Sequence, residues 1–218
     1  TDLKTWDLKR MMREIDARFA KALALAEPLK EVPLSSYETL LEKGNIPAEV
    51  MPSMYDFLMQ QALAFYQAEE RVDAAAEDDF LLDPTSPAFG SVADFIEWKP
   101  QAPSGFSAKI RAIALYQQWL AFHQDRLPAR IYVDVKRLQW ATQSVDGEVD
   151  QANLEKQWRA LLAEAKGQEV ECVVAHALAQ QLNGLQRRKE ARVIADAAVK
   201  AHPQSIFVSL CLSVIEEI

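Results

Sequence analysis

The sequence is short of glycine, cysteine and histidine, with six, two and three of them in 218 residues, and each shortage closes off a class of function. A loop whose backbone cradles phosphate cannot be assembled from six scattered glycines. Cys172 and Cys211 are too few for the disulfide scaffold of a small secreted domain, so cysteine usage leaves the redox compartment open. Half of the residues are hydrophobic, and a chain of this length builds a core without such a scaffold. His123, His176 and His202 fall in no HExxH frame. Cys172 and His176 stand one helical turn apart, but two ligands do not close a metal site that ordinarily needs four, so no metal and no other cofactor is expected. No apolar run approaches the length that crosses a bilayer and no signal peptide is visible, so this segment is not expected to insert into a membrane.

Positive charge is also in deficit: 24 Lys and Arg against 32 Asp and Glu leave a net charge of -8 and a pI near 5.0. A phosphate backbone would be repelled, and nucleic acid is not an expected partner. The one basic cluster, Arg187, Arg188 and Lys189, adjoins Glu190 and reads as the solvated start of a helix. The acidic run Glu69, Glu70, Asp73, Glu77, Asp78, Asp79 and Asp83 lacks the alternating ligands and central glycine of an EF-hand loop. Nothing in the sequence selects a carboxylate pair for acid–base work, so no catalytic residue is named and the chain is read as non-enzymatic.

Helical periodicity is abundant. Leu8, Met11, Met12, Ile15, Phe19, Ala22 and Leu23 follow spacings of three and four, predicting a helix over 5–25 that Pro28 and Pro33 end. Ser35 and Glu38 have capping-box spacing and Gly44 suits a helix exit, giving a short helix over 36–43. Met54, Phe57, Leu58, Ala62, Phe65 and Tyr66 make the next stripe, expected to continue through 69–76. Ser107 caps a helix carrying Ile113, Tyr116, Trp119 and Leu120, and Pro128 opens another. The alternation Ile131, Val133, Val135 permits a strand, but Leu138 and Trp140 carry the pattern past strand length, and helix is preferred.

Between 77 and 107 the period is lost and Pro84, Pro87, Pro100 and Pro103 appear. A connection this long is unusual in a compact domain, and its Phe89, Phe95, Ile96 and Trp98 are too apolar for a linker. It is either strapped over the helices or an edge that contacts partners; in the second case Phe89, Phe95 or Trp98 is partly exposed and marks the contact surface. "DFIEW" is also compatible with a short strand.

Leu154, Trp158, Leu161, Leu162 and Ala165 predict a helix stopped by Gly167, and Val170, Val173, Val174, Ala177, Leu178 and Leu182 another, ended near Gly184. Ala191, Ala195 and Ala198, followed by Pro203, match the second helix of a tetratricopeptide unit, in which small residues let two backbones approach. An ordinary alanine-rich hairpin explains them equally well. The segment 206–218 is apolar enough to cover the open end of that pair. The expected fold is therefore all-α: one helical domain over 1–218, with helical hairpins packed as an irregular superhelix or bundle. It has N-terminal helices over 1–76, a long ordered loop over 77–107, and hairpins over 108–218 that include a partly tetratricopeptide-like unit at 170–203.

The order of "YDFLMQQALAFY", "ALYQQWLAFHQD", "VDVKRLQW", the hairpin leading to "AHPQS" and the closing "VIEEI" resembles the N-terminal helical region of very large bacterial alpha-2-macroglobulin-like proteins. The resemblance spans most of the chain and rests on helical packing patterns. It implies a non-catalytic interaction or scaffolding domain of a cell-envelope or periplasmic, protease-trapping protein, with an export signal upstream and macroglobulin sandwich domains downstream. The partners it implies are those other domains of the parent chain, or other proteins. The family's thioester sequence is absent: Cys172 lies in "VECVV" and Cys211 in "SLCLS". The opening at Thr1 without Met and the stop at Ile218 inside a periodic segment fit a piece of a longer protein. The alternative is a free-standing tetratricopeptide-like adaptor.

Overall fold

A computed structural model of the chain describes residues 6–37, 39–41, 46–68, 80–101 and 107–218. Among them are nine α-helices and no strand. These are α1 (Leu8–Ala24), α2 (Met54–Gln67), α3 (Val92–Glu97), α4 (Ala108–Phe122), α5 (Leu127–Ser144), α6 (Gln151–Glu164), α7 (Glu171–Gly184), α8 (Arg188–Ala201) and α9 (Val208–Glu217). The all-α expectation holds. The chain divides into two compact units, Thr1–Leu81 with Pro100–Leu115, and Leu82–Lys99 with Tyr116–Ile218.

In the first unit Asp7 caps α1, its carboxylate accepting from the Arg10 N–H at 2.7 Å. Phe19 packs on Phe65 of α2 with ring centroids 5.3 Å apart, and the Tyr66 hydroxyl donates to Asp16 at 2.7 Å. The N-terminal part of the expected stripe, Leu8, Met11 and Ile15, stays exposed. A capping box starts α2: Ser53 Oγ accepts from the Asp56 N–H, and the Asp56 carboxylate accepts from the Ser53 N–H. α2 stops at Gln67 because Ala68 is extended, so it does not run on as a continuous helix; residues 69–76 lie outside the described ones. Of the helix expected over 36–43, the structure describes a 3-10 turn at Leu34–Tyr37, while Glu38, Lys43 and Gly44 lie outside the described residues. Ser107 caps α4 as expected, its Oγ accepting from the Ile110 N–H at 3.1 Å.

The second unit is built around α7, which packs against α5, α6, α8 and α9. Its sequence explains this position, since Cys172, Val173, Val174, Ala175, Ala177, Leu178, Ala179 and Leu182 point around most of the helix and are all buried. A helix apolar on nearly every side must be surrounded. Ala191, Ala195 and Ala198 bury the facing stripe of α8, and Phe207, Cys211 and Val214 seat α9. Residues 131–140 lie within α5, with Pro128 in its first turn, so the strand alternative falls. "DFIEW" likewise forms the end of α3, capped by Ser91, and not a strand.

The helix over 170–182 ends at Gly184, as expected, and Gln186 takes the left-handed conformation at φ 62°. The Arg187 N–H then reaches back to the Leu182 carbonyl at 2.8 Å, as a left-handed helix exit requires. Gln186→Gly is expected to stabilise the second unit by about 0.5–1 kcal/mol, relieved left-handed strain outweighing the entropy that glycine adds to the unfolded chain. Gly184→Ala has open space around the added Cβ and is expected to add about 0.5–1 kcal/mol. Urea unfolding followed by tryptophan fluorescence checks both; a loss of stability in Gln186→Gly contradicts the first.

Candidate interaction surfaces

Two places in the second unit carry polar side chains that a core does not need: the strap formed by residues 82–99, and a groove lined by α5, α6 and α7. The strap has few regular backbone bonds of its own, so its carbonyls need outside donors. Arg137 of α5 supplies two of them. Its guanidinium donates to the Ala88 and Gly90 carbonyls at 2.8 and 3.1 Å, and to Asp134 at 2.6 Å through Nε. The same plane lies 4.9 Å from the Phe95 ring centre. Asn153 of α6 donates to the Phe89 carbonyl at 3.0 Å, and Gln117 of α4 donates to those of Phe95 and Trp98, both at 2.7 Å. Asp146 closes the near end by accepting from the Leu82 N–H at 2.7 Å.

Arg137 and Asp134 are 1% and 2% exposed. Burial pushes the Asp134 carboxyl up from its ordinary range, and the Arg137 charge pulls against that. Phe89 and Phe95 are core residues, 1% and 0% exposed, which corrects their placement on a contact surface. Their rings fill the space under the strap because its carbonyls are drawn inward to Arg137, Asn153 and Gln117. Trp98 alone of the three keeps a partly accessible face. Apolar periodicity carries no sign of Asp134, Arg137, Gln117 or Asn153. The available signal was Asp134 and Arg137 three residues apart, at a spacing that puts them on one helical face among Ile131, Val135, Leu138 and Ala141.

The groove measures about 510 Å³, and its lining bears no charge. Its floor is Leu154, Trp158 and Ala177, and its walls are Gln139 and Gln143 of α5, Gln151 of α6, and Gln180 and Gln181 of α7. Gln181 is already oriented: its amide donates to the backbone and side-chain oxygens of Gln151 at 2.9 and 2.8 Å. Each free primary amide offers two donors and one acceptor, and this neutral mixture matches polypeptide backbone. Gln139 and Gln143 are four residues apart, a rise of about 6 Å along a helix, close to the roughly 6.6 Å spanned by two residues of extended chain. No residue of this groove stands out in the sequence, because glutamine at helical spacing reads as ordinary surface.

The other motifs resolve locally. Arg187 pairs with Glu155 and Glu190, and Arg159 joins the same network, which holds both carboxyls below their usual range. Asp83 accepts from the Thr85 N–H and hydroxyl; the rest of the acidic run lies outside the described residues. Cys172 is fully buried and His176 half-buried, its imidazole held below the ordinary value by burial. Among the described residues no group of three or more His, Cys, Asp or Glu is placed to hold a metal ion, and no helix is long and apolar enough to cross a membrane. Compared with protein-family models, curated proteins and solved structures, the chain matches none.

Proposed function

We propose that this chain is a non-catalytic protein-interaction or scaffolding domain that holds an extended, uncharged stretch of polypeptide in the α5–α6–α7 groove. The observation that carries this reading is the lining: five glutamines and a threonine over an apolar floor, with no charge to select an ionic ligand. The partner is another domain of the parent chain or a separate protein. Assignment to a large, cell-envelope alpha-2-macroglobulin-like protein rests on the segment order quoted above. A free-standing tetratricopeptide-like adaptor is the second reading, favoured by the buried track Ala191, Ala195 and Ala198 ahead of Pro203. The parent gene separates the two: an export signal upstream and sandwich domains downstream support the first, a start codon at Thr1 and a stop after Ile218 the second.

The groove is tested with an array of uncharged, end-blocked decapeptides against the chain and a Gln139→Ala/Gln143→Ala variant. Gln143 is exposed and Gln139 half-buried at the groove wall, so the variant is expected to keep its stability within about 0.5 kcal/mol. Peptides that bind should lose about tenfold or more in affinity, the equivalent of one or two hydrogen bonds, and binding should be nearly independent of salt. Peptide binding that the variant leaves unchanged, or that salt abolishes, sinks the groove as the contact.

A further inference from the structure

The terminal helix α9 is held by a short apolar stripe, and one member of that stripe is a cysteine facing another cysteine. Cys211 Sγ donates to the Cys172 carbonyl on α7 at 3.3 Å, and Cys172 Sγ lies 3.8 Å from the Ala198 carbonyl on α8. Both are free, fully buried, and separated by 39 residues of chain. Packing at this point needs only a small apolar residue on each helix, which valine or alanine would supply as well. What the pair adds is chemistry: two sulfur atoms held together by three packed helices.

We propose that Cys172 and Cys211 form a disulfide on exposure to a disulfide oxidant, stapling α9 to α7. The thiolate of Cys172 attacks a sulfur of the oxidant R–S–S–R, forming a mixed disulfide and expelling one thiolate. The Cys211 thiol gives up its proton and attacks the Cys172 sulfur, expelling the second. Two protein thiols are oxidised to one cystine, and one R–S–S–R is reduced to two R–SH. Cys172 is the first nucleophile: the neighbouring Cys211 thiol and His202 hold its thiol below the ordinary range, whereas the contact with Cys172 and burial hold the Cys211 thiol above it. Both sulfurs being buried, the oxidant enters when α9 lifts, or acts while the chain is folding.

The inference is independent of the groove. Its test compares the folded chain with the same chain in concentrated urea, each equilibrated with one series of glutathione and glutathione disulfide mixtures from both the reduced and the oxidised side. Free thiols are then blocked with N-ethylmaleimide and the peptides weighed. A cross-link that stabilises the fold must, by linkage, form more readily in the folded state. For a bridge worth what native disulfides usually are, the folded chain should favour the Cys172–Cys211 cross-link by roughly 30-fold to 1000-fold over the unfolded one. The cross-linked peptide should vanish in Cys172→Ser and in Cys211→Ser. A folded-state preference of one or less, or glutathione adducts and intermolecular dimers in place of the internal bridge, overturns the proposal.

Discussion

Asp134→Ala is expected to cost the second unit about 3–5 kcal/mol, since it leaves the Arg137 guanidinium buried at 1% exposure without its carboxylate. Four of the five tryptophans, Trp98, Trp119, Trp140 and Trp158, lie in this unit, so urea unfolding followed by tryptophan fluorescence reads it selectively. An isolated buried ion pair can often be replaced by apolar residues at no cost. Asp134→Leu/Arg137→Met should not recover fully, because Arg137 also satisfies the Ala88 and Gly90 carbonyls. Each buried carbonyl left without a donor costs about 1–3 kcal/mol. Full recovery in the double variant would show that the strap does not depend on Arg137.

Phe95→Ala is the second large loss, about 3–5 kcal/mol for a fully buried ring whose removal leaves a cavity. The ring sits under the Arg137 guanidinium, and the Phe95 carbonyl is held by Gln117, so the damage should spread along the strap. Hydrogen exchange should rise at the Phe89, Gly90 and Phe95 amides before the helices open. Trp98→Ala, at a half-buried position, should cost only about 1–2 kcal/mol. If Trp98→Ala destabilises as much as Phe95→Ala, the strap is anchored at its far end and not over Arg137.

Apart from α3, which lies in the stretch read as a loop, the long helices were legible in the residues because amphipathic periodicity is local: Leu154, Trp158 and Leu161 announce α6, and the alanine track of α8 announces a face packed at close range. The same periodicity assigns a residue to the inside without naming its neighbour. That is why Leu8, Met11 and Ile15 read like Phe19 in sequence, yet they stay exposed while Phe19 packs on Phe65 of α2. The Ser107 cap, the helix start at Pro128 and the helix end at Gly184 followed from short-range rules, whereas nothing in the residues pointed to Gln186 as the left-handed position. Tertiary structure alone decided the strap, since Arg137 meets carbonyls 49 and 47 residues away and every residue carries a carbonyl, leaving no side-chain signature to read. It also decided the groove and the thiol pair: the groove needs three consecutive helices packed side by side, and the thiols meet across 39 residues. A single chain determines which faces are apolar. Only packing determines which polar groups are carried inside with them, because each such group survives burial only with a partner supplied from elsewhere in the fold.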